Sequence, residues 1–280
     1  MPPSRPSIAP LLKLEQPVNV VDIGANPAEG EAPYKPLLDA GLAKVVGFEP
    51  NPEALSKLNA GKGPNETYLP YAVFDGTEQE IKFCQWPGMT SLLEPNTELL
   101  DYYYGFPEWG KVLERRRIAT VRLDDVAEIE AIDYLKIDIQ GAELEVFQNG
   151  VNRLGDCLAI HTEVEFLPMY KDQPLFSEVE QFLRKRGFVF HRFVEWHSRT
   201  VRPMIIDQNI YANLSQAFYG DAIFIKDFTK FDRLGPVALK KLALILHDVY
   251  GSYDIVLRAL MAHDQKTGAD LAKQYSRFLA

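Results

Sequence analysis

The chain has 280 residues, 46% of them hydrophobic and 25% charged, the balance of an ordinary folded protein large enough to bury a core without disulfide or metal staples. A formal net charge of −9 argues against broad binding to nucleic acid or insertion at an anionic membrane, both of which need a positive footprint, and no stretch is long and apolar enough to span a bilayer. The two cysteines, Cys84 and Cys157, lie far apart and read as small buried hydrophobes suited to a reducing compartment, so the expected location is cytoplasmic.

Residues 1–17 are Pro-rich at their start and lack a continuous apolar segment, so they are expected to form a disordered or extended tail rather than a signal peptide. From residue 18 strands and helices alternate. A mostly apolar run over 18–25 predicts a strand buried on both faces, 32–41 a helix stopped by Gly41, 44–48 a second strand, and 52–59 a helix with Pro52 in its first turn. A third strand is expected over 67–74 and an added hairpin strand over 80–86.

Residues 87–118 break the rhythm with Pro87-Gly88, Pro95-Asn96, three consecutive tyrosines, Phe106-Pro107 and Trp109. They read as an insertion with a short helix near 96–104 and the potential to form a lid. Arg115, Arg116 and Arg117 form the one compact basic run, expected as a solvated face. The alternation resumes with a strand over 134–139, a helix over 142–148, a strand over 157–164, a helix over 176–186, and strands over 188–194 and 222–226. Such alternation predicts a mostly parallel sheet with helices on both faces.

Residues 18–231 are therefore expected as one α/β domain, and 232–280 as a C-terminal helical extension. That extension carries Leu239, Leu242, Leu246, Val249, Val256 and Leu260 at helical spacing. An amphipathic stripe must be buried against something, and the expectation here is a contribution to a homodimer, with packing on its own sheet as the alternative.

Five predicted strands end in polar or acidic groups: Asp22-Ile23-Gly24-Ala25-Asn26, then Glu49, Asp75, Asp138, and the run His161, Glu163, Glu165. In an open α/β sheet ligands bind outside the carboxyl ends of the strands, so these ends describe one pocket. Gly24 permits a close backbone approach. Glu49 can accept the two hydroxyls of a ribose, and Asp75 an exocyclic amine. That series describes an adenosine-bearing cofactor, and the absence of Gly-x-Gly-x-x-Gly counts against the alternative of a nicotinamide-dependent oxidoreductase.

The string Lys136-Ile137-Asp138-Ile139-Gln140-Gly141-Ala142-Glu143 is the most distinctive in the chain. With Val21-Asp22-Ile23-Gly24-Ala25-Asn26, Phe48-Glu49-Pro50-Asn51-Pro52 and residues 120–125, it resembles the FkbM family of S-adenosylmethionine-dependent methyltransferases over roughly residues 18–228. The resemblance implies a class I methyltransferase fold: a doubly wound, Rossmann-like, seven-stranded sheet whose last strand is antiparallel. It also implies S-adenosylmethionine as cofactor and O-methylation of a small-molecule hydroxyl, on a sugar or secondary metabolite. By the same resemblance Gly24 and Asn26 face the methionine moiety, Glu49 the ribose, Asp75 the adenine and Asp138 the methyl group, with Asp22 beside the turn. Pro27-Ala28-Glu29-Gly30 departs from the family's usual Gly-Ala-Asn-x-Gly. This leaves a third reading, a non-catalytic cofactor-binding protein on the same fold.

Methyl transfer from a sulfonium needs alignment and a proton acceptor for a hydroxyl nucleophile. Asp138, Glu163 and His161 are the candidates. Residues 161, 163 and 165 share one strand face by the period of two. Nothing in the spacing demands a metal. On the acceptor side Tyr103, Trp109 and Trp196 are candidate substrate contacts, with plain loop packing as the alternative.

Overall fold

A computed structural model of the protein describes residues 5–26 and 30–280. Its strands, in chain order, are β1 (Val18–Ile23), β2 (Ala43–Phe48), β3 (Glu66–Leu69), β4 (Ala72–Phe74), β5 (Glu78–Cys84), β6 (Val112–Arg122), β7 (Tyr134–Ile137), β8 (Ala159–Glu165), β9 (Phe188–Arg199) and β10 (Gln216–Lys226). The helices are α1 (Ala9–Leu12), α2 (Lys35–Asp39), α3 (Pro52–Gly61), α4 (Thr97–Leu100), α5 (Phe106–Trp109), α6 (Glu143–Gln148), α7 (Phe176–Lys185), α8 (Pro236–Leu244), α9 (Tyr253–Thr267) and α10 (Leu271–Leu279).

Seven strands form the main sheet in the order β3-β2-β1-β7-β8-β10-β9. The central pairs β2–β1, β1–β7 and β7–β8 are parallel, and β10 runs antiparallel to both β8 and β9. This is the doubly wound sheet with an antiparallel last strand that the sequence implied. The apolar runs are explained by burial on both faces: Val18 and Val20 of β1 enter one core while Val21 and Ile23 enter the other. On β7, Tyr134 joins the first core, and Leu135 and Ile137 the second.

The expected strand over 67–74 is two strands. Pro70, without an N–H to give to a ladder, separates β3 in the main sheet from β4, which pairs with β6 in a second sheet of order β4-β6-β5. The sequence also missed β6, whose Glu114, Arg115, Arg116 and Arg117 lie exposed without apolar alternation. The arginines pair with acids around them: Arg115 with Glu80 and Glu94, Arg117 with Glu78, and Arg116 with Glu114.

At the N-terminus the structure differs from the expected tail, and at the C-terminus the stripe takes its stated alternative, packing on the chain's own sheet. Residues 5–17 are not a loose tail: α1 forms, and Ile8 and Leu12 are buried in the core. The backbone N–H of Ile8 donates to Asp248 Oδ1 at 3.2 Å. The C-terminal stripe is also spent within the chain. Leu239, Leu242, Leu246, Val256 and Leu260 are fully buried, in the same core as β1 and β7. The apolar surface that motivated a dimer is thus the cover of one face of the chain's own sheet.

Candidate functional site

The ends of β2, β1 and β7 are fastened together. Both Gly24 and Ala25 donate their N–H to the Phe48 carbonyl at 3.1 Å, and Asp138 donates its N–H to the Ile23 carbonyl at 3.0 Å. Gly24 has φ +81°, and a Cβ there would lie 2.0 Å from the Asp138 carbonyl oxygen. Glycine is therefore required by the crossing backbone of the neighbouring strand end, whatever lies in the cavity. Asn26 folds back, its N–H donating to the Gly24 carbonyl at 2.8 Å. The departure at Pro27-Ala28-Glu29 lies outside the described residues.

Asp22 is buried at the base of this turn. Its Oδ2 accepts from the Tyr34 hydroxyl at 2.6 Å, and its Oδ1 lies 3.6 Å from Lys136 Nζ with no hydrogen-bond partner. Burial first, then the Asp22 charge, drives the Tyr34 hydroxyl far above its ordinary value, so it remains a donor. Glu49 is buried after β2 and accepts from the N–H of Asn51 at 2.7 Å. Burial raises its carboxyl against that hydrogen bond, and the Asp22 charge adds to the rise. Asn51 then caps α3, accepting from the amides of Glu53 and Ala54.

A cavity of about 530 Å³ opens over these strand ends. Of the residues singled out in the sequence, Asp22, Asn26, Asp138 and His161 line it. Gly24, Glu49, Asp75 and Glu163 do not. The sequence missed Tyr34, Lys136, Arg192, Asp221 and Tyr250, which also line it. Lys136 stands two residues before Asp138 on β7 and was open to the period-two argument. Arg192 and Asp221 required the antiparallel β10–β9 register, and Tyr250 comes from the C-terminal segment. At about 4.8 Å per strand, the walls at β1 and β9, four strands apart, stand roughly 19 Å from one another.

Beyond β7 and β8 four carboxyl groups gather: Asp138, Glu143, Glu163 and Glu165. Glu143 is buried and accepts from the amides of Ile139 (2.9 Å) and Gly141 (3.2 Å). Burial, with the Asp138 charge adding, still pushes it up to about 7. Glu163 and Glu165 are raised well above the carboxylate range, first by burial and then by the neighbouring acids. Gln140, at φ +60°, turns its amide so that Nε2 donates to Asp138 Oδ1 at 2.9 Å.

Other sequence candidates fall elsewhere. Asp75 follows β4 of the small sheet, and its carboxylate is taken by a turn: it accepts from the Thr77 amide and hydroxyl, Thr120 and Gln79. Burial acts to raise it, but these hydrogen bonds together hold it below the usual value. Asp75, expected at the adenine, thus stands outside the cavity lining with its oxygens engaged by the turn. Tyr103 is buried, edge-on to Phe218 at 4.6 Å. Trp109 stacks on Tyr211 at 5.7 Å, and the half-exposed Trp196 leans on Phe166 at 4.8 Å. None of the three lines the cavity. The aromatic insertion builds a third small core with Met89, Leu100 and Phe106, so packing rather than a substrate wall accounts for its rings.

Residues 22–190, more than half of the chain, match the model of the methyltransferase FkbM domain. A 2-O-methyltransferase, NoeI, from Sinorhizobium fredii is 28% identical over 200 residues, covering 63% of this chain and 79% of that protein. Among solved structures, magnesium protoporphyrin IX methyltransferase from Synechocystis PCC 6803 is similar at 9% identity and a TM-score of 0.38, over 75% of this chain and 71% of that one. Precorrin-6y C5,15-methyltransferase from Geobacter metallireducens is similar at 15% identity and a TM-score of 0.37, over 78% and 84%.

Proposed function

Because the chain belongs to the FkbM methyltransferase family, we propose that it transfers a methyl group from S-adenosylmethionine to a hydroxyl of a small acceptor, a sugar or secondary metabolite. The cofactor comes with the family. The residues present fit it, and one observation carries that fit. Asp22, a cavity-lining residue at the Gly24 turn, keeps a buried Oδ1 that has no hydrogen-bond partner and only the ion-pair approach of Lys136 at 3.6 Å. An orphaned buried acceptor costs about 1–3 kcal/mol, and an ammonium-bearing ligand relieves it.

Asp22, Asn26 and Asp138 would hold the amino-acid end of the cofactor; Glu49, buried at the neighbouring strand end and outside the cavity lining, would reach its ribose only after a local rearrangement. When bound, the cofactor supplies an activated methyl group on a positively charged sulfur. The chain's residues align the acceptor with it, and Asp138, which lines the cavity, takes the acceptor's proton. The hydroxyl acceptor is supported by the similarity to a 2-O-methyltransferase.

Isothermal titration with S-adenosylhomocysteine tests the reading. The wild-type protein binds, and Asp22→Asn, which removes the charge and leaves an oxygen for Tyr34, weakens binding by about 1.5–3 kcal/mol. Binding of NAD with no affinity for S-adenosylhomocysteine would sink the proposal.

A further inference from the structure

The C-terminal segment places a hydroxyl beneath the cavity wall. A π-helical turn, Ile245–Val249, extends α8 and delivers Tyr250 to the sheet face. There Tyr250, Tyr134 of β7 and His161 of β8 form a buried triangle. The two hydroxyls are in direct hydrogen-bond contact, His161 Nδ1 lies 3.0 Å from the Tyr250 hydroxyl, and it lies 3.4 Å from that of Tyr134. Tyr134 is fully buried, and Tyr250, although it borders the cavity, is only 5% exposed, so the set is completed within the protein. Among the described residues neither hydroxyl has another hydrogen-bond partner.

Counting protons assigns the ring. Burial drives both phenols up, so each keeps its O–H. If Nδ1 is bare, Tyr134 donates to Tyr250, Tyr250 donates to Nδ1, and every proton has an acceptor. If Nδ1 carries a proton, three donors share two phenol oxygens and one buried hydroxyl proton is left without an acceptor. That omission costs about 1–3 kcal/mol. The same count applies whether or not Nε2 is also protonated. With Nδ1 bare, the ring proton sits on Nε2, on the side of Asp221, another cavity-lining residue, whose Oδ1 is 3.9 Å away. That distance is an ion-pair approach and not a hydrogen bond. The N–H is therefore unspent. In the same row across the sheet, two strands away, Arg192 also lines the cavity; its Nε is a buried donor without a partner, while its Nη2 is held by the Tyr250 carbonyl.

We propose that His161 serves this cavity as a fixed hydrogen-bond donor through Nε2, not as the general base, and that Tyr250 of the C-terminal segment is the positioning residue that sets it. Resting on the methyltransferase reading, His161 and Arg192 then offer N–H groups to a lone-pair oxygen of the methyl acceptor that is not itself methylated. The proton of the reacting hydroxyl goes to Asp138. The C-terminal helices are by this account part of the acceptor site as well as cover for the core.

Long-range proton–nitrogen correlation spectra of protein labelled with ¹⁵N-histidine test this without an acceptor. His161→Gln identifies the ring's resonances by their loss. The expected wild-type pattern is a pyrrole-type Nε2 and a pyridine-type Nδ1, and a protonated Nδ1 overturns the proposal. In Tyr250→Phe the Nδ1 resonance moves downfield as its hydroxyl partner is lost, while the Tyr134→Phe protein keeps the wild-type tautomer. An Nδ1 resonance unmoved in Tyr250→Phe removes Tyr250 from the role. Calorimetry on the same samples separates the two ideas: failure of wild-type protein to bind S-adenosylhomocysteine counts against the methyltransferase reading and leaves the tautomer result standing.

Discussion

Two residues at the strand ends carry the sharpest expectations. Gly24 combines a positive φ with a Cβ position that overlaps the Asp138 carbonyl oxygen at 2.0 Å. Alanine there must move the β7 end, so Gly24→Ala should lose more than the roughly 1 kcal/mol of an ordinary glycine replacement, about 2–4 kcal/mol. It should also weaken S-adenosylhomocysteine binding, because the backbone that moves belongs to Asp138. Urea unfolding and calorimetry on one preparation check both, and a variant of wild-type stability would refute the close approach. Asp138 is held by Gln140 Nε2 and lines the cavity. If it is the base, Asp138→Asn should keep the fold and most cofactor affinity while turnover on an acceptor found by library screening drops about 10²–10⁴-fold. Turnover at the wild-type rate would pass the role to Glu163.

At the scale of elements, the helices after Pro236 are the test case. Their apolar stripe lies in one core with β1, β7 and α1. Removing them would expose Leu158, Ile223 and Ile225 of that core together with the partners of Ile8 and Leu12. Large-to-small changes at single core sites already cost about 2–5 kcal/mol, and a domain's whole stability is only about 5–15 kcal/mol. A chain ending at Arg233 should therefore be insoluble or expanded, as judged by light scattering and near-UV circular dichroism. A soluble, rigid product would mean that the sheet face is stable uncovered. The small sheet shows the opposite balance. Its Arg115 pairs are exposed on both partners, and such pairs contribute little, so β5 and β6 depend on their ladder and on the third core beneath them.

For the whole molecule, the buried acids make stability depend on pH in an unusual direction. Glu143 is raised in the folded state to about 7 from an ordinary 4.5. Below 4.5 both states hold the proton. Between these values the folded state binds more protons than the unfolded one, so stability falls as pH rises through about 7. The shift corresponds to at most about 3 kcal/mol. Glu143→Gln can still accept from Ile139 and Gly141 but has no proton to lose. Its stability relative to wild type should improve from pH 4.5 to 8 in urea unfolding, and a constant difference across that range would contradict the assignment. Glu163 and Glu165 are shifted in the same sense, so some slope should persist in the variant.

What the sequence determined by itself is local and periodic. Apolar runs buried on both faces marked β1, β2, β7 and β8, and the groups at their ends, Asp22, Asn26, Asp138 and His161, were legible because strands of a parallel sheet all deliver their last residues to one edge. Asp75 misled because Pro70 transfers the following strand to another sheet, an event that leaves the alternation of residues 67–74 intact. The aromatic rings of the insertion look alike in sequence whether they face a ligand or each other. Tertiary structure alone decided that Tyr103, Trp109 and Trp196 face neighbouring rings, that the C-terminal stripe covers the chain's own sheet, and that Arg192, Asp221 and Tyr250 reach the cavity. The reason is physical: periodicity records which side of an element is apolar, but which partner covers that side depends on contacts between residues far apart in the chain, such as the 89 positions that separate His161 from Tyr250.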